Sequence, residues 1–216
     1  MNCDRVAPIY RWLEYLVFGR KLEFCRNYFL SDLADCHNAL VLGDGDGRFL
    51  TNYLRANEGS DGTVDYVDVS EGMLRLARQR AASLNSGDRQ RVRFLCCDAR
   101  KLDDLTKYDL IATHFFLDCL EEWEIEVLAG RIQQTARRQV LWVVSEFCIP
   151  KGLMMRLFGL ALMSTMYFCF RFATGLEVRK LPDYRGVLLR CGFRLREAHY
   201  RFGGLLVSEL WSGGRQ

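Results

Sequence analysis

The fold of this chain is decided by Leu40-Val41-Leu42-Gly43-Asp44-Gly45-Asp46-Gly47-Arg48-Phe49. An apolar run is followed by three glycines at alternate positions and then by an amphipathic stretch. This order predicts a buried strand, a tight turn and the start of a helix. Glycine lets the backbone of such a turn approach a ligand closely, because it has no Cβ and tolerates positive φ. The free N–H groups at the start of the helix can bind a polar ligand.

The spacing of the glycines separates two kinds of nucleotide site. Dinucleotide-binding turns use G-x-G-x-x-G, and the third glycine of that pattern would fall on Arg48. The observed pattern is G-x-G-x-G, formed by Gly43, Gly45 and Gly47. The spacing therefore disfavours a nucleotide-dependent oxidoreductase, which we keep as an alternative.

The composition predicts one domain of moderate size, since the chain has 216 residues and 50% of them are hydrophobic. A net charge of +3 is too small to indicate a nucleic-acid partner. The nine cysteines include no C-x-x-C pair and only three histidines are present, so we expect no metal and reduced thiols in the core. Residues 1–6 lack a signal-type apolar region, and the longest uncharged run, Leu157–Phe170, is shorter than the ~20 residues that span a bilayer. We therefore expect a cytoplasmic protein.

Short β-rich runs alternate with helical patterns in the middle of the chain. The expected strands are Ala39–Leu42, Val64–Asp68, Val92–Cys97, Tyr108–Thr113 and Gln139–Phe147. The expected helices are Phe49–Arg55, Glu71–Leu84 with Ser70 as N-cap, and Glu122–Arg138. This alternation predicts an α/β fold, with a mostly parallel sheet and helices on both faces.

The end of the chain changes character. A helix over Asp183–Cys191, closed by Gly192, precedes two strands over Phe193–Tyr200 and Gly204–Trp211. These strands predict an antiparallel hairpin, which brings the sheet to seven strands. Extra helices are expected at Pro8–Leu33 and, as an insertion after strand five, at Gly152–Phe172. We therefore divide the single domain into an N-terminal helical cap (1–35), a core (36–147), a helical insertion (148–181) and a C-terminal helix with hairpin (182–216).

Carboxylates stand at the ends of the second and third strands. Asp68 follows Gly47 by 21 residues, where a carboxylate can accept hydrogen bonds from ribose hydroxyls. Asp98 ends the third strand, where it could accept from the amino group of an adenine. Each taken alone could equally be a capping or turn residue. The two carboxylates and the glycine turn together predict a nucleoside site at one edge of the sheet.

These motifs resemble those of class I S-adenosylmethionine (SAM)-dependent methyltransferases. The resemblance rests on the order Leu42-Gly43-x-Gly45-x-Gly47, Val67-Asp68-Val69-Ser70, Cys97-Asp98-Ala99 and Tyr108-Asp109-Leu110-Ile111, roughly residues 39–147. It implies a Rossmann-like fold and SAM as cofactor, with the glycines around the methionine part, Asp68 on the ribose and Asp98 near the adenine. The further cofactor contacts that it implies are Asp44, Val69, Met73, Ala99 and Thr113.

One departure from the family pattern lies in the first strand. The family usually has an acid two residues before the first glycine, and this chain has Val41 there, which leaves Asp44 or Asp46 to replace it. The flanks are similar to the ubiquinone/menaquinone-biosynthesis C-methyltransferase group. That similarity is carried by Val6-Ala7-Pro8-Ile9-Tyr10, Phe18-Gly19, Cys191-Gly192-Phe193 and Gly203-Gly204-Leu205-Leu206-Val207.

The acceptor side of the site is expected after strand four, in Thr113-His114-Phe115-Phe116-Leu117-Asp118. His114 is a candidate general base, because its ordinary pKa lies near neutrality, and Asp118 is a second catalytic candidate. His114 could instead pack at the strand end, and Asp118 could cap the next helix. Phe115 and Phe116 could form an aromatic wall near a sulfonium, or belong to the core.

The acceptor is expected to be a small molecule that is apolar or lipid-like. The run Gly152–Phe172 is rich in Leu, Met, Phe and Tyr, so it could be a buried helix, a flexible cover for an apolar substrate or a shallow membrane contact. Basic residues that could meet lipid headgroups are Lys151, Arg156, Arg171, Arg179 and Lys180. The alternative function is a non-catalytic methyltransferase-fold protein that acts as a partner or a membrane-associated assembly factor.

Overall fold

The computed structural model describes residues 19–135, 139–150, 152–157, 159–160 and 181–214. Seven strands form one sheet in the order β3-β2-β1-β4-β5-β7-β6. The strands are β1 (Asn38–Leu42), β2 (Thr63–Asp68), β3 (Val92–Cys96), β4 (Leu110–His114), β5 (Val140–Phe147), β6 (Arg194–Arg201) and β7 (Leu206–Gly213). The helices are α1 (Lys21–Asn27), α2 (Arg48–Ala56), α3 (Glu71–Ala81), α4 (Ser86–Gln90), α5 (Glu122–Thr135) and α6 (Tyr184–Arg190).

The pairing of the strands confirms the predicted fold class. Strands β1 to β5 pair in parallel, β7 pairs antiparallel with β5, and β6 pairs antiparallel with β7 at the edge. Because consecutive strand residues point to opposite faces, β1 contributes to two cores. Leu40 and Leu42 belong to the core beneath α5 and α6, and Ala39 and Val41 belong to the core beneath α2 and α3.

Most boundaries differ from the predictions by one to three residues. One of these differences is at β4, which begins at Leu110, two residues after the predicted start at Tyr108. The Tyr108 hydroxyl donates to Asp65, and Asp109 accepts from the backbone N–H groups of His37 and Asn38. The Asp109 backbone also donates to the Asn38 carbonyl and accepts from the Leu141 N–H, so it continues the pairing with β1 and β5. The short helix α4 was not predicted.

The two segments expected to be helical are described only in part. The Pro8–Leu33 prediction is realised as α1 and a 3₁₀ turn over Leu30–Leu33, and residues 8–18 lie outside the described part. Of the predicted helix Gly152–Phe172, residues 153–157 are helical, and most of the other residues lie outside the described part of the chain. In the described ranges no helix is long and apolar enough to cross a membrane.

The seven described cysteines are all free thiols, but only Cys25 and Cys36 are buried. Cys96 is exposed, so the expectation that the thiols lie in the core is wrong for it. Cys96 is the last residue of the edge strand β3, and its thiol donates to the Val69 carbonyl at 3.8 Å. Among the described residues no group of His, Cys, Asp or Glu is arranged to hold a metal ion.

Candidate cofactor site

The predicted motifs follow three neighbouring strands at the same edge of the sheet. Leu42 of β1 pairs with Val67 of β2, and the Gly43 N–H extends that ladder to the Val67 carbonyl at 3.0 Å. Asp68 pairs with Cys96 of β3, two residues before Asp98. The glycine turn and both carboxylates are thus brought together, beside the β1–β4 pair where the strand order reverses. Open α/β sheets bind ligands at such a point.

The glycine turn needs residues without side chains. Gly43, Gly45 and Gly47 have φ values of 62°, 69° and 77°, in the left-handed region that glycine adopts without strain. A Cβ on Gly47 would lie 2.9 Å from the Ala77 Cβ, so this glycine lets α2 pack closely on α3. A Cβ on Gly45 would meet no other described residue within 4 Å, so within the described part of the chain this glycine borders open space. The Tyr66 hydroxyl donates to the Gly45 carbonyl at 2.8 Å and holds the turn in place.

The carboxylate of Asp44 faces the start of α2. It is buried and accepts from the Phe49 and Leu50 N–H groups at 3.4 and 3.2 Å, while the Arg26 guanidinium lies 3.9 Å away. Burial raises the pKa of Asp44 to about 7, against the opposing effect of Arg26. Asp46, the other candidate to replace the missing acid, forms ion pairs with Arg48 and Arg80. Both carboxylates are therefore engaged in contacts that hold the turn.

Asp68 forms the rim of the open space. Its carboxylate accepts from the Ser70 N–H at 2.8 Å, and the Ser70 hydroxyl in turn accepts from the Met73 N–H at the start of α3. Asp68 is half-buried, and the neighbouring Val69 is 49% exposed although it is apolar. Met73 is buried beneath them. A half-buried acceptor next to an exposed apolar side chain matches a ribose with its attached base.

Asp98 is paired within its own turn. It accepts from the backbone N–H and the guanidinium of Arg100, which also contacts Glu124. Arg100 holds the pKa of Asp98 below its usual range. The following residue, Ala99, is buried. An adenine amino group at this place would share the Asp98 carboxylate with Arg100.

The two last residues of β4 are buried on opposite faces of the sheet. The Thr113 hydroxyl accepts from the Trp142 indole at 2.9 Å, so its side chain lies in the core and only its backbone remains for a ligand. His114 is 1% exposed, with Nδ1 2.9 Å from the Ser145 hydroxyl and its ring against Phe49. Burial, and to a lesser degree Arg26, lowers the pKa of His114 well below its usual value. His114 is therefore neutral near pH 7.

The structure does not bring His114 and Asp118 together. His114 contacts Ser145, whereas Asp118 is buried near Glu146, and these two neighbours on β5 point to opposite faces. Burial raises the pKa of Asp118 to about 6. The catalytic roles of both residues remain predictions.

Among the described residues, four with buried polar groups in this region were not predicted from the sequence: Arg26, Tyr66, Ser145 and Glu146. Of these residues, only Glu146 could have been recognised from the sequence, because it is a charged residue within the mostly apolar strand Val143-Val144-Ser145-Glu146-Phe147. A charged residue in a central strand is rarely buried without a partner.

Comparisons with known proteins agree with this geometry. Residues 40–137, slightly less than half of the chain, match the family model described as a methyltransferase domain. A search of the curated proteins found no match.

Several solved methyltransferases share the fold. The mitomycin 7-O-methyltransferase MmcR superposes with a TM-score of 0.69 at 13% identity, covering 97% of this chain and 59% of that one. Magnesium protoporphyrin IX methyltransferase (ChlM) from Synechocystis PCC 6803, solved with bound S-adenosylhomocysteine (SAH), gives 0.64 at 18% identity and covers 97% and 95%. The chain spans less than three fifths of the length of several of these neighbours. The fold is the Rossmann-like class I methyltransferase fold, and the matched domain supports SAM as the cofactor.

The residues at the strand edge fit the adenosyl part of SAM. The open space beside Gly45 admits a ligand against the backbone, and Asp68 supplies an acceptor for ribose hydroxyls. Val69 supplies an exposed apolar surface beside that acceptor. Val41, at the position that the family usually gives to an acid, is fully buried in the core.

Proposed function

We propose that this protein is a SAM-dependent methyltransferase that acts on a small apolar or lipid-like acceptor. The observation that carries the proposal is the placement of two features at one edge of the sheet: Gly45, which borders open space among the described residues, follows β1, and the carboxylate of Asp68 ends the adjoining strand β2. When bound, SAM supplies a methyl group that is already activated for transfer. Asp68 and the glycine turn bind and orient the cofactor, and the segment after β4 excludes water from the reacting atoms.

Isothermal titration calorimetry with SAM and with SAH tests the cofactor assignment. We expect saturable binding of both ligands to the purified protein. Absence of heat with either ligand, in protein that melts cooperatively, would contradict the proposal and favour the non-catalytic alternative. A fluorescence shift of NADH on titration would instead favour the oxidoreductase.

The nature of the acceptor is proposed from the segment after β5. Leu153, Met154, Leu157 and Leu160 are each at least 40% exposed. The same segment is seated on the body, since a Cβ on Gly159 would lie 2.5 Å from Leu205 Cδ2. The apolar side chains thus face outward beside the carboxyl ends of the strands.

We further propose that this apolar surface rests on an anionic bilayer. Lys21 lies 4.5 Å from the ring of Phe202, and Arg201 lies 3.8 Å from the ring of Phe24, so two cations stand at the same end of the molecule. Exposed apolar side chains with nearby cations are the two signals that interfacial binding needs.

Flotation with vesicles of phosphatidylcholine, with and without phosphatidylglycerol, tests this contact. We expect the protein to float only with the anionic vesicles. Leu157→Ser should reduce flotation, whereas Leu189→Ser, at the similarly exposed Leu189 on α6, should not. Equal flotation of the two variants would contradict the membrane contact.

A further inference from the structure

The segment after β4 has an unusual backbone. Phe115 has a φ of 55°, which costs a bulky residue of this type about 1–3 kcal/mol. Its N–H donates to the Ser145 carbonyl at 2.7 Å, which extends the β4–β5 ladder by one residue. The left-handed turn at Phe115 redirects the next two N–H groups away from that ladder. Another group must therefore hold them in place.

The carboxylate of Glu146 receives both of these N–H groups. Phe116 N and Leu117 N donate to Glu146 Oε1 at 3.0 and 2.7 Å. Glu146 is fully buried in β5, with Asp118 also buried nearby. Burying a carboxyl group beside another is costly unless it is hydrogen-bonded. These two backbone contacts therefore bind Glu146 and the segment to each other.

The segment held in this way places an aromatic ring on the glycine turn. A Cβ on Gly43 would lie 2.2 Å from Phe116 Cδ2 and 2.9 Å from its Cγ, so the ring occupies the space that a side chain would fill. Phe116 itself is only half-buried, and it packs against the core beneath α5 and α6. The ring thus forms a wall between β4 and the turn expected to surround the methionine part of SAM.

We propose that Glu146 is a positioning residue that holds the ring of Phe116 against Gly43, where the ring faces the sulfonium. This inference rests on the proposed function for the identity of the ligand. An aromatic ring attracts a cation through its quadrupole, so the ring should favour SAM, which carries a sulfonium, over the neutral thioether SAH. Glu146 therefore sets the preference of the site for the charged form of the cofactor.

Calorimetric titration of SAM and SAH into the wild type, Glu146→Gln, Glu146→Leu and Phe116→Leu tests the proposal. Phe116→Leu should lower the preference for SAM over SAH about three- to tenfold. Glu146→Leu should lower it equally, and the double variant should show no further loss, because Glu146→Leu releases the same ring that Phe116→Leu removes. Glu146→Gln keeps an acceptor oxygen for the two N–H groups and should keep the wild-type preference within about twofold. A Glu146→Leu protein that retains this preference would overturn the proposal.

Amide hydrogen exchange of Phe116 and Leu117 provides a second measurement that needs neither the cofactor nor a folded Leu variant. We expect both amides to exchange slowly in the wild type and in Glu146→Gln. Exchange at the rate of an unstructured peptide in the wild type would also overturn the proposal. If the wild type bound neither SAM nor SAH while these amides were protected, the proposed function would fail and the anchoring by Glu146 would stand.

Discussion

Alanine at Gly47 and at Gly45 separates the two tasks of the glycine turn. Both residues have positive φ, so alanine at either costs about 1–2 kcal/mol of backbone strain, reduced by about 0.4–1 kcal/mol because alanine restricts the unfolded chain. At Gly47 the new Cβ would also lie 2.9 Å from Ala77 Cβ and 3.0 Å from Ala77 Cα, both on α3. Overpacking of this kind adds about 1–3 kcal/mol. We therefore expect Gly47→Ala to lose about 2–4 kcal/mol and Gly45→Ala about 1 kcal/mol.

Urea denaturation of the two variants and the wild type measures this difference directly. The free energy of unfolding should fall further for Gly47→Ala, with unchanged m-values. Calorimetry with SAH should show the opposite order for binding in folded protein, because only the Cβ at position 45 enters the open space. Equal destabilisation of both variants, or a more stable Gly47→Ala, would refute the close contact of α2 with α3 as the reason for glycine at 47.

Three further changes test the packing around the site. Asp44→Asn should weaken the pH dependence of stability. The pKa of Asp44 in the folded protein, near 7, lies above its usual value, so the wild type loses stability as pH rises from about 4 to 7. If the free energy of unfolding, measured by urea denaturation, changed equally with pH in the variant and the wild type, this account would be contradicted. Tyr66→Phe removes the hydrogen bond to the Gly45 carbonyl and should lower the free energy of unfolding by about 1–2 kcal/mol, and an unchanged denaturation midpoint would argue against it. Leu128→Ala, on the buried face of α5, should cost about 2–5 kcal/mol in the same assay, and a loss below 1 kcal/mol would contradict its full burial.

The order of strands and helices was predictable because each apolar run is bounded by glycine, a cap or a change of period. Ser70 caps α3 as expected, and Gly47 opens α2. Boundaries were less predictable where long-range contacts decide them. Tyr108 lies just before β4, and its hydroxyl donates to Asp65, 43 residues earlier in the chain, a contact that no local pattern predicts.

The site was predictable as a set of strand ends but not in the direction of each side chain. The sequence places Asp44 and Asp68 both next to the turn. In the structure Asp44 accepts from backbone N–H groups at the N-terminus of α2, whereas Asp68 lies at the rim of the candidate cofactor site. Likewise, Thr113 and His114 follow one another, but the pleat sends them to opposite cores. The alternation itself follows from the strand, but which helices cover each face is not encoded in any local pattern.

The affinity of Asp68→Ala for SAH, measured by calorimetry beside Asp61→Ala, tests the cofactor site most directly. Asp61 is an exposed acid just before β2, so its loss removes the same charge at the opposite end of the strand. Asp68→Ala should lose at least about tenfold in affinity for each hydrogen bond to the ribose, while Asp61→Ala should bind as the wild type does. An Asp68→Ala protein that melts cooperatively and binds SAH with wild-type affinity would contradict the assignment of this strand edge as the cofactor site.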